Sequence, residues 1–393
     1  MIRQIEIDNF KSIRHADIEL GNINLFIGEN GAGKSNILEA IGIMSAAVYG
    51  VVDDESLLRR GVRPGVPRLY KTSNQKHRTA PHIGFSIRCD SCFYSVSLWN
   101  PLKSQTRWNF KTECLKSDEM KTNYTRGVKK NPNPERGGVP MILSILPEDS
   151  DTMHFFSDLS GYALYNPNTA ALRGLVQDVQ MRLPVGLAGG GLSEGVKELL
   201  RTAANDESVE EALESIVDLF SWVEDVSTST QISQILSASV PRAKNTIIFT
   251  DHFMKRGNNR LTAADASEGV LYVLFLLVLC MSPGGPKIFA VDNIEQTLNP
   301  RIVKRLAAVL QEWFKDYIPE KQMFCTAHNP VILDGFDLLD DTVRLFVVDR
   351  DSDGLTRIRR ITVTEELVRA SKEKHISWSQ LWVDGYIGGV PNV

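Results

Sequence analysis

The sequence predicts an α/β fold in which both ends of the chain contribute to one core. Three observations lead to this prediction. A glycine-rich loop at 28–35 follows a predicted strand and precedes a predicted helix, and an apolar strand ending in an aspartate lies near residue 290. The section between the glycine-rich loop and this strand is rich first in basic loops and then in helical patterns. We therefore expect the core to carry an antiparallel β section and a mainly helical insertion.

Composition indicates an ordinary globular protein and excludes several functional classes. The 393 residues are 42% hydrophobic and 23% charged, and the length suggests two or three domains. With a net charge of −4, nucleic-acid binding would have to come from local basic patches. The longest apolar run, 270–281, suits a buried helix and is too short to span a membrane. The five scattered cysteines and the lack of a secretory signal favour a reducing cytoplasm.

Hydrophobic periodicity places the other elements. Strands are predicted at 2–7, 16–20, 23–27, 82–88, 92–99, 106–114, 246–250, 288–292, 322–326 and 343–349. Helices are predicted directly after residue 35, across most of 150–236 and at 300–315. The predicted domains are an N-terminal head part (1–50), a β-rich section with basic loops (51–140), a mainly helical insertion (141–245), a C-terminal head part (246–350) and a C-terminal extension (351–393).

The glycine-rich loop matches the phosphate-binding pattern G-x-x-x-x-G-K-[S/T] in full, from Gly28 to Ser35. Its glycines allow conformations that turn successive N–H groups toward phosphates, and the following helix adds its positive N-terminal end. We expect Lys34 to reach the β- and γ-phosphates of ATP and the Ser35 hydroxyl to bind Mg²⁺. The predicted nucleotide-binding residues here are Asn30, Gly31, Ala32, Gly33, Lys34, Ser35 and Asn36.

Polar residues in the C-terminal block complete the predicted site. Residues 287–292 read as an apolar strand with Asp292 at its tip, where a phosphate-loop site needs an acidic partner for Mg²⁺. A further strand ends at His328, whose order after Asp292 favours a place near the γ-phosphate. Residues 266–269 lie between the predicted strand 246–250 and Asp292, and they form the start of the predicted apolar helix 270–281. There Ser267 can either cap the helix or hold a phosphate of a second protomer.

These elements, in this order and at this separation, resemble the ABC-type ATPases of the RecF, SMC-like and OLD group. They look closest to the compact bacterial AAA family ATPases that lack a long coiled coil. The segments that carry the resemblance are Ile7–Ser12, Ile27–Asn36, Ala266–Gly269 (a degenerate signature), Asp292–Pro300 (Walker B and D-loop) and Thr326–Pro330 (the switch histidine). The resemblance implies a P-loop NTPase core of the ABC-ATPase type, with Lys11 among its nucleotide-binding residues.

The resemblance also implies a homodimer or higher homo-oligomer that holds ATP and Mg²⁺ between its subunits. Ser267, Glu268 and Gly269 of one subunit would complete the Lys34 site of another subunit. ATP binding would then join the subunits, and hydrolysis would release them.

One position departs from the family pattern. The family usually has a catalytic glutamate directly after the Walker B aspartate, and this chain has Asn293 there. Because an amide cannot act as a base, either Glu295 takes the catalytic role or hydrolysis is slow. Glu295 would face the same side as Asn293 on a strand but not on a turn. The catalytic candidates are therefore Asn293, Glu295 and His328.

Two other features have a functional and a structural interpretation. Cys89 and Cys92 form a single C-x-x-C pair, which is more typical of a hairpin turn than of a zinc site completed by Cys114 or His82. Basic loops at 59–78 and 121–136 either contact nucleic acid or are simply solvated.

The sequence thus predicts an ATP-binding, hydrolysing protein that acts as an ATP-dependent switch or sensor and controls a separate effector protein. The resemblance implies a setting in bacterial anti-phage defence. The alternative is a RecF-like repair or recombination ATPase that binds DNA. A third interpretation is a binding module that uses ATP only to hold a scaffold together.

Overall fold

The computed structural model describes residues 1–76, 78–100, 108–120, 123–127, 133–231, 237, 239, 245–364, 368–369 and 376–386. The predicted basic loop at 121–136 and the predicted C-terminal extension lie partly outside these residues. The chain divides into two units. The first comprises 1–164, 287–294 and 320–393, and the second comprises 165–286 and 295–319.

The described residues form strands and helices, which we number along the chain. The strands are β1 (Gln4–Phe10), β2 (Ile13–Glu19), β3 (Ile23–Gly28), β4 (His82–Arg88), β5 (Cys92–Trp99), β6 (Asn109–Ser117), β7 (Tyr124–Arg126), β8 (Ala163–Tyr165), β9 (Val223–Ser229), β10 (Thr246–Asp251), β11 (Arg260–Thr262), β12 (Ile288–Val291), β13 (Gln322–Ala327), β14 (Val343–Arg350) and β15 (Thr356–Ile361). The helices are α1 (Lys34–Tyr49), α2 (Asp54–Leu58), α3 (Val139–Leu143), α4 (Asp151–Ser160), α5 (Thr169–Leu172), α6 (Leu192–Ala203), α7 (Glu207–Val217), α8 (Glu268–Met281), α9 (Pro300–Glu312) and α10 (Trp378–Val383). Short 3₁₀ segments cover Pro67–Tyr70 and Pro330–Asp334, and a π-helical turn covers Trp313–Tyr317.

A central sheet combines strands from both ends of the chain, in the order β15-β14-β3-β13-β12-β8. Strand β3 pairs in parallel with β13 on one side and β14 on the other, and β13 pairs in parallel with β12. Every residue of β3, β12 and β13 is buried, as expected for a parallel sheet covered on both faces. Strands β8 and β15 were not predicted, and β15 lies beyond residue 350, where we expected the head to end.

A second, antiparallel sheet in the first unit has the order β2-β1-β4-β5-β6-β7. Its strands alternate between buried and less buried residues, and their apolar side chains join the buried residues of α1 in one core. The C-x-x-C pair lies at the β4–β5 turn, as the hairpin interpretation predicts. The structure joins Cys89 and Cys92 in a disulfide, which the sequence did not lead us to expect.

The second unit is organised around α8. All residues from 270 to 281 are buried, which confirms the prediction of a buried apolar helix. Helix α6 packs closely against α8 because Gly195 has no side chain. A Cβ at that position would lie only 2.6 Å from Cγ1 of Val278. In a three-stranded sheet, β11-β10-β9, strand β9 lies within the region predicted as mainly helical, whereas β10 lies where a strand was predicted, at 246–250. No helix within the described ranges is both long enough and apolar enough to cross a membrane.

Candidate functional site

The glycine-rich loop connects β3 to α1 within the first unit. Gly31 and Gly33 have φ angles of 79° and 110°, which favour glycine. Gly28 is required for another reason, because a Cβ there would lie 2.0 Å from the carbonyl oxygen of Val348. The loop thus uses glycine both for left-handed backbone and for close packing against β14.

Lys34 and His328 lie together at this loop. The Lys34 ammonium donates hydrogen bonds to the carbonyl oxygens of Gly28 and Glu29, at 2.7 and 2.9 Å. Its Nζ also lies 3.1 Å from Nδ1 of His328. His328 directly follows β13, the parallel neighbour of β3, so both strands end at the same edge of the sheet. A phosphate that binds Lys34 would replace carbonyl oxygens as its acceptor.

Ser35 and Asp292 form the second contact of the site. The Ser35 hydroxyl donates to the Asp292 carboxylate, at 2.9 Å from Oδ2 and 3.2 Å from Oδ1. The hydroxyl of Thr326, on β13, also donates to this carboxylate. A hydroxyl and a carboxylate are oxygen ligands of the kind that Mg²⁺ prefers, and they lie at the start of α1 and the end of β12. The donor set therefore fits a magnesium ion beside a bound phosphate.

A polar pocket of about 310 Å³ surrounds these groups. Besides the loop itself, its walls include Arg63, Asn293, His328 and Arg350. Of the loop residues predicted to bind nucleotide, Asn30, Gly31, Gly33, Lys34, Ser35 and Asn36 line the pocket. Ala32 is buried, with 3% of its surface exposed. Because Lys34 and two arginines reach this pocket, its charge suits a polyanion such as a triphosphate.

A buried carboxylate holds two further cations beside the pocket. Glu39 on α1 is fully buried and accepts hydrogen bonds from Lys11 Nζ and Arg63 Nε. Burial lowers the pKa of the Lys11 ammonium despite the opposing effect of Glu39, and the hydrogen bond to Glu39 raises the pKa of Arg63. Lys11 also lies over the ring of Tyr70, at 5.3 Å. Lys11 lines an adjoining pocket of about 850 Å³, whereas Arg63 lines both pockets.

Arg63 and Glu39 were not singled out from the sequence. Arg63 is one of several arginines in a basic stretch, and nothing in that stretch distinguishes it. Glu39 offered a usable signal, because it is an acidic residue inside a helix that is otherwise almost entirely buried and apolar. A buried acid of this kind requires a cationic partner, and the basic stretch nearby supplies it.

Comparison with known proteins gives family matches in two separate parts of the chain. A family model described as "AAA ATPase domain" matches residues 1–92, and one described as "AAA domain, putative AbiEii toxin, Type IV TA system" matches 177–334. A DNA double-strand break repair Rad50 ATPase of Saccharolobus solfataricus is 36% identical over 78 residues, which is 20% of this chain and 9% of that protein. The DNA replication and repair protein RecF of Clavibacter michiganensis is 34% identical over 70 residues, or 17% of each chain. This chain therefore covers only a small part of each relative's length.

The fold agrees with these matches. The solved structure of an SMC head bound to the C-winged helix domain of ScpA superposes with a TM-score of 0.51, covering 94% of this chain and 99% of that one at 13% identity. The chain carries an ABC-type ATPase fold of the RecF and SMC-like group. In this fold the phosphate loop follows β3, and β12 and β13 correspond to the Walker B strand and the switch-histidine strand.

The segment that follows the Walker B strand β12 is a turn. Residues 292–297 have no regular strand or helix, and Asn293 has a left-handed φ of 57°. The expectation that Asn293 and Glu295 face the same side requires a strand, so that argument does not apply here. Asn293 lines the phosphate pocket, while Glu295 belongs to the second unit. A catalytic role for Glu295 stays a prediction.

The segment predicted to be the signature, 266–269, lies in the second unit at the start of α8. Ser267 occupies the N-cap position and is exposed, and its hydroxyl makes no capping hydrogen bond. Glu268 is the first residue of the helix and is also exposed. The preceding carbonyl of Ala266 is fixed by a 3.0 Å hydrogen bond from Arg173 Nη2. Gly269 packs near Leu298, where a Cβ would come within 3.2 Å of Cδ2.

Proposed function

We propose that this ATPase binds ATP with Mg²⁺ in the phosphate-loop pocket and acts as a slow switch that controls a separate effector protein. The observation that carries this proposal is that one pocket combines residues of the glycine-rich loop with an amide, Asn293, in its wall. The pocket supports binding, and the amide supports slow turnover.

In the proposed bound state, Lys34 and the N–H groups of the loop hold the β- and γ-phosphates. Ser35 and Asp292 hold Mg²⁺, which neutralises phosphate charge when it is bound. His328 lies close enough to Lys34 to meet the terminal phosphate. These groups bind and orient the nucleotide without any need for a base.

Hydrolysis needs an attacking water that is oriented and then deprotonated. The Asn293 amide can orient a water but cannot accept its proton, so we propose slow turnover. The competing proposal makes Glu295 the base. Measuring ATP turnover of Glu295→Gln distinguishes the two, because intact turnover excludes Glu295 as the base and a large loss supports it.

We infer that a second copy of the chain completes the site through Ser267, Glu268 and Gly269. The exposed Ser267 hydroxyl and the exposed start of the 14-residue helix α8 support this inference, because a helix N-terminus attracts phosphate. The particle mass from light scattering should correspond to a dimer or larger with ATP and to a smaller species without it. Ser267→Arg should abolish the ATP-dependent increase in mass, and an unchanged increase would contradict the inference.

For the biological setting we propose the cytoplasm of a bacterial cell and a partner effector in anti-phage defence. The description of the family model that matches 177–334 includes a toxin system, which is compatible with a paired effector. Co-expression with the product of the neighbouring gene tests this setting: an ATP-dependent complex is the expected result. If the two proteins stay separate with and without ATP, that product is not the effector.

The second candidate function is a DNA-repair ATPase, and the names of the Rad50 and RecF relatives favour it. The described part of the basic loop at 59–78 offers less free positive charge than its sequence suggests. Arg59 pairs with Glu55, and Lys76 pairs with Asp353. Adding duplex DNA to the ATPase assay distinguishes the functions, because a repair role predicts stimulated turnover and the switch role predicts none.

A further inference from the structure

The carbonyl groups of the phosphate loop are held by partners from several parts of the first unit. Backbone carbonyls in a loop that directs its N–H groups at a ligand must find acceptor partners elsewhere. Lys34 supplies two of these hydrogen bonds, to Gly28 and Glu29. The carbonyl of Gly33 accepts from the Asn36 N–H at 3.1 Å, in the first turn of α1.

Two other loop carbonyls are held by the β14–β15 hairpin. Arg350, at the end of β14, donates from Nε to the carbonyl of Gly31 at 2.7 Å. Thr356, the first residue of β15, donates from its hydroxyl to the carbonyl of Ala32 at 2.7 Å, across 324 positions of sequence. Thr356 is buried, with 5% of its surface exposed. The loop therefore depends on a strand from the far end of the chain.

The packing around Thr356 is specific. Its Oγ1 lies 2.6 Å from the Ser12 hydroxyl oxygen, which accepts a hydrogen bond from Asn36 Nδ2 at 2.8 Å. A Cβ on Gly33 would lie only 2.2 Å from Thr356 Oγ1. The threonine hydroxyl thus occupies the space that glycine leaves free and connects the loop to α1 and to the β1–β2 turn.

Nucleotide binding should affect the hydrogen bonds from Lys34 and the hydrogen bond from Thr356 differently. When Lys34 turns to a phosphate, its ammonium gives up at least part of its bonding to the Gly28 and Glu29 carbonyls. The hydrogen bond from Thr356 does not involve a phosphate-binding donor, so it can persist in both states. It is therefore suited to hold the loop in its binding conformation before ATP arrives.

We propose that Thr356 is a positioning residue for nucleotide binding, which holds the Ala32 carbonyl so that the loop N–H groups are oriented in the empty site. This proposal rests on the proposed ATP site. Its physical basis is preorganisation: a loop that is already ordered loses less conformational entropy when it binds. Without the hydroxyl, the buried Ala32 carbonyl would lack this donor and the loop would sample other conformations.

Thr356→Val tests the proposal, because valine keeps the branched shape and removes the hydroxyl. Titration with a fluorescent ATP analogue should show Kd raised by about tenfold, the size expected for one lost buried hydrogen bond. Thr356→Ser keeps the hydroxyl and should bind within about twofold of the original chain, as expected when the bond is retained. Amide hydrogen exchange of 28–35 in the nucleotide-free protein should be faster in Thr356→Val only.

Thr72→Val is the matched control. Thr72 is also buried and donates its hydroxyl to a backbone carbonyl, that of Ile13 at 2.8 Å. It should leave both Kd and the exchange of 28–35 unchanged. If Thr72→Val weakens ATP binding as much as Thr356→Val, the effect is general destabilisation and the proposal is overturned. Unchanged Kd and exchange in a folded Thr356→Val protein also overturn it.

Two further variants keep the test decisive. If Thr356→Val does not fold, the exposed Arg350→Met removes the neighbouring bond to Gly31, and faster exchange of 28–35 without nucleotide supports hairpin positioning. Unchanged exchange in Arg350→Met then counts against it.

Lys34→Ala separates this proposal from the proposed function. If Lys34→Ala binds ATP normally, the pocket is not the ATP site; if only Thr356→Val binds normally, the positioning role alone fails.

Discussion

The phosphate loop and the turn after the Walker B strand follow two buried strands of the same sheet, β3 and β12, which are separated by β13. The two segments are nevertheless built differently. The loop uses glycines for its left-handed residues, at Gly31 and Gly33. The turn uses Asn293 at φ 57° and Thr297 at φ 64°, neither of which is glycine. Non-glycine residues with left-handed backbone angles cost free energy and are often found at functional positions. Asparagine tolerates the conformation better than glutamate does, which gives a backbone reason for an amide at position 293.

This difference separates binding from turnover. In the proposed bound state the loop holds the groups that contact phosphate, and the turn begins with a carboxylate and an amide, Asp292 and Asn293, that would face the terminal phosphate. Variants in the loop should therefore change the affinity for ATP, whereas variants in the turn should change the hydrolysis rate with little effect on affinity. The predictions below test this separation, from the largest expected effect to the smallest.

Lys34→Ala should show the largest change. The variant loses charge-assisted hydrogen bonds to two phosphates, so we expect Kd for ATP to rise by about 100-fold or more, equivalent to ~3 kcal/mol. Isothermal titration calorimetry measures this directly. Lys197→Ala, an unrelated lysine substitution on α6, is the control and should bind normally. ATP binding that survives intact in Lys34→Ala would contradict the assignment of the loop as the nucleotide site.

Asp292→Asn should affect turnover far more than binding. The amide keeps the shape and can still accept the Ser35 hydrogen bond, but it is a poorer ligand for Mg²⁺. We expect hydrolysis to fall by about 100-fold, while Mg²⁺-free ATP binds nearly as before. Phosphate release and binding measured with and without Mg²⁺ check both parts. If the affinity for Mg²⁺-free ATP falls as far as the rate, the separation of loop and turn is wrong.

Asn293→Glu should accelerate hydrolysis if the missing carboxylate limits the rate. We expect an increase of about tenfold, less than a general base usually contributes, because glutamate is strained at a left-handed φ. Asn293→Gln has the same length and similar backbone strain without a carboxylate, so it is the matched control. A rate for Asn293→Glu no higher than that for Asn293→Gln would count against the proposed slow switch.

Arg63→Ala should have the smallest effect, because 64% of this side chain's surface is exposed and water screens its charge. We expect Kd for ATP to rise by about fivefold at low salt and by less at high salt. Arg59→Ala is the matched control, since Arg59 pairs only with Glu55 on the surface of α2 among the contacts described here. Equal effects of the two substitutions at low salt would indicate a non-specific loss of positive charge.

Much of the central sheet could be predicted because its buried strands are mainly apolar runs that are followed by polar residues. The strands before Asp292 and His328 lie at their predicted positions to within a residue or two. Strand β8 was missed because three residues give no periodic pattern. Strand β15 was missed because its sequence, Thr356–Ile361, is dominated by arginines on an edge strand.

The contacts that shape the site were harder to predict. Thr356 looks like an ordinary threonine in the sequence, and only the pairing of β14 with β15 and with β3 brings it to the phosphate loop. Asn293 and Glu295 would face the same side only if the backbone at Asn293 were extended, and residue type alone does not determine whether an asparagine there is extended or left-handed. Long-range register and individual backbone angles are not contained in local patterns.

The position of β3 has a consequence for synthesis of the protein. The strand is finished by residue 28, but its two hydrogen-bonding neighbours are β13 and β14, which end at residues 327 and 350. On the ribosome the phosphate-loop strand must therefore wait for about 300 further residues before it can pair, on the order of 15–60 s at typical translation rates. During that time its apolar side chains are open to chaperones and to aggregation. Nascent chains stalled before residue 322 should therefore be unable to retain ATP.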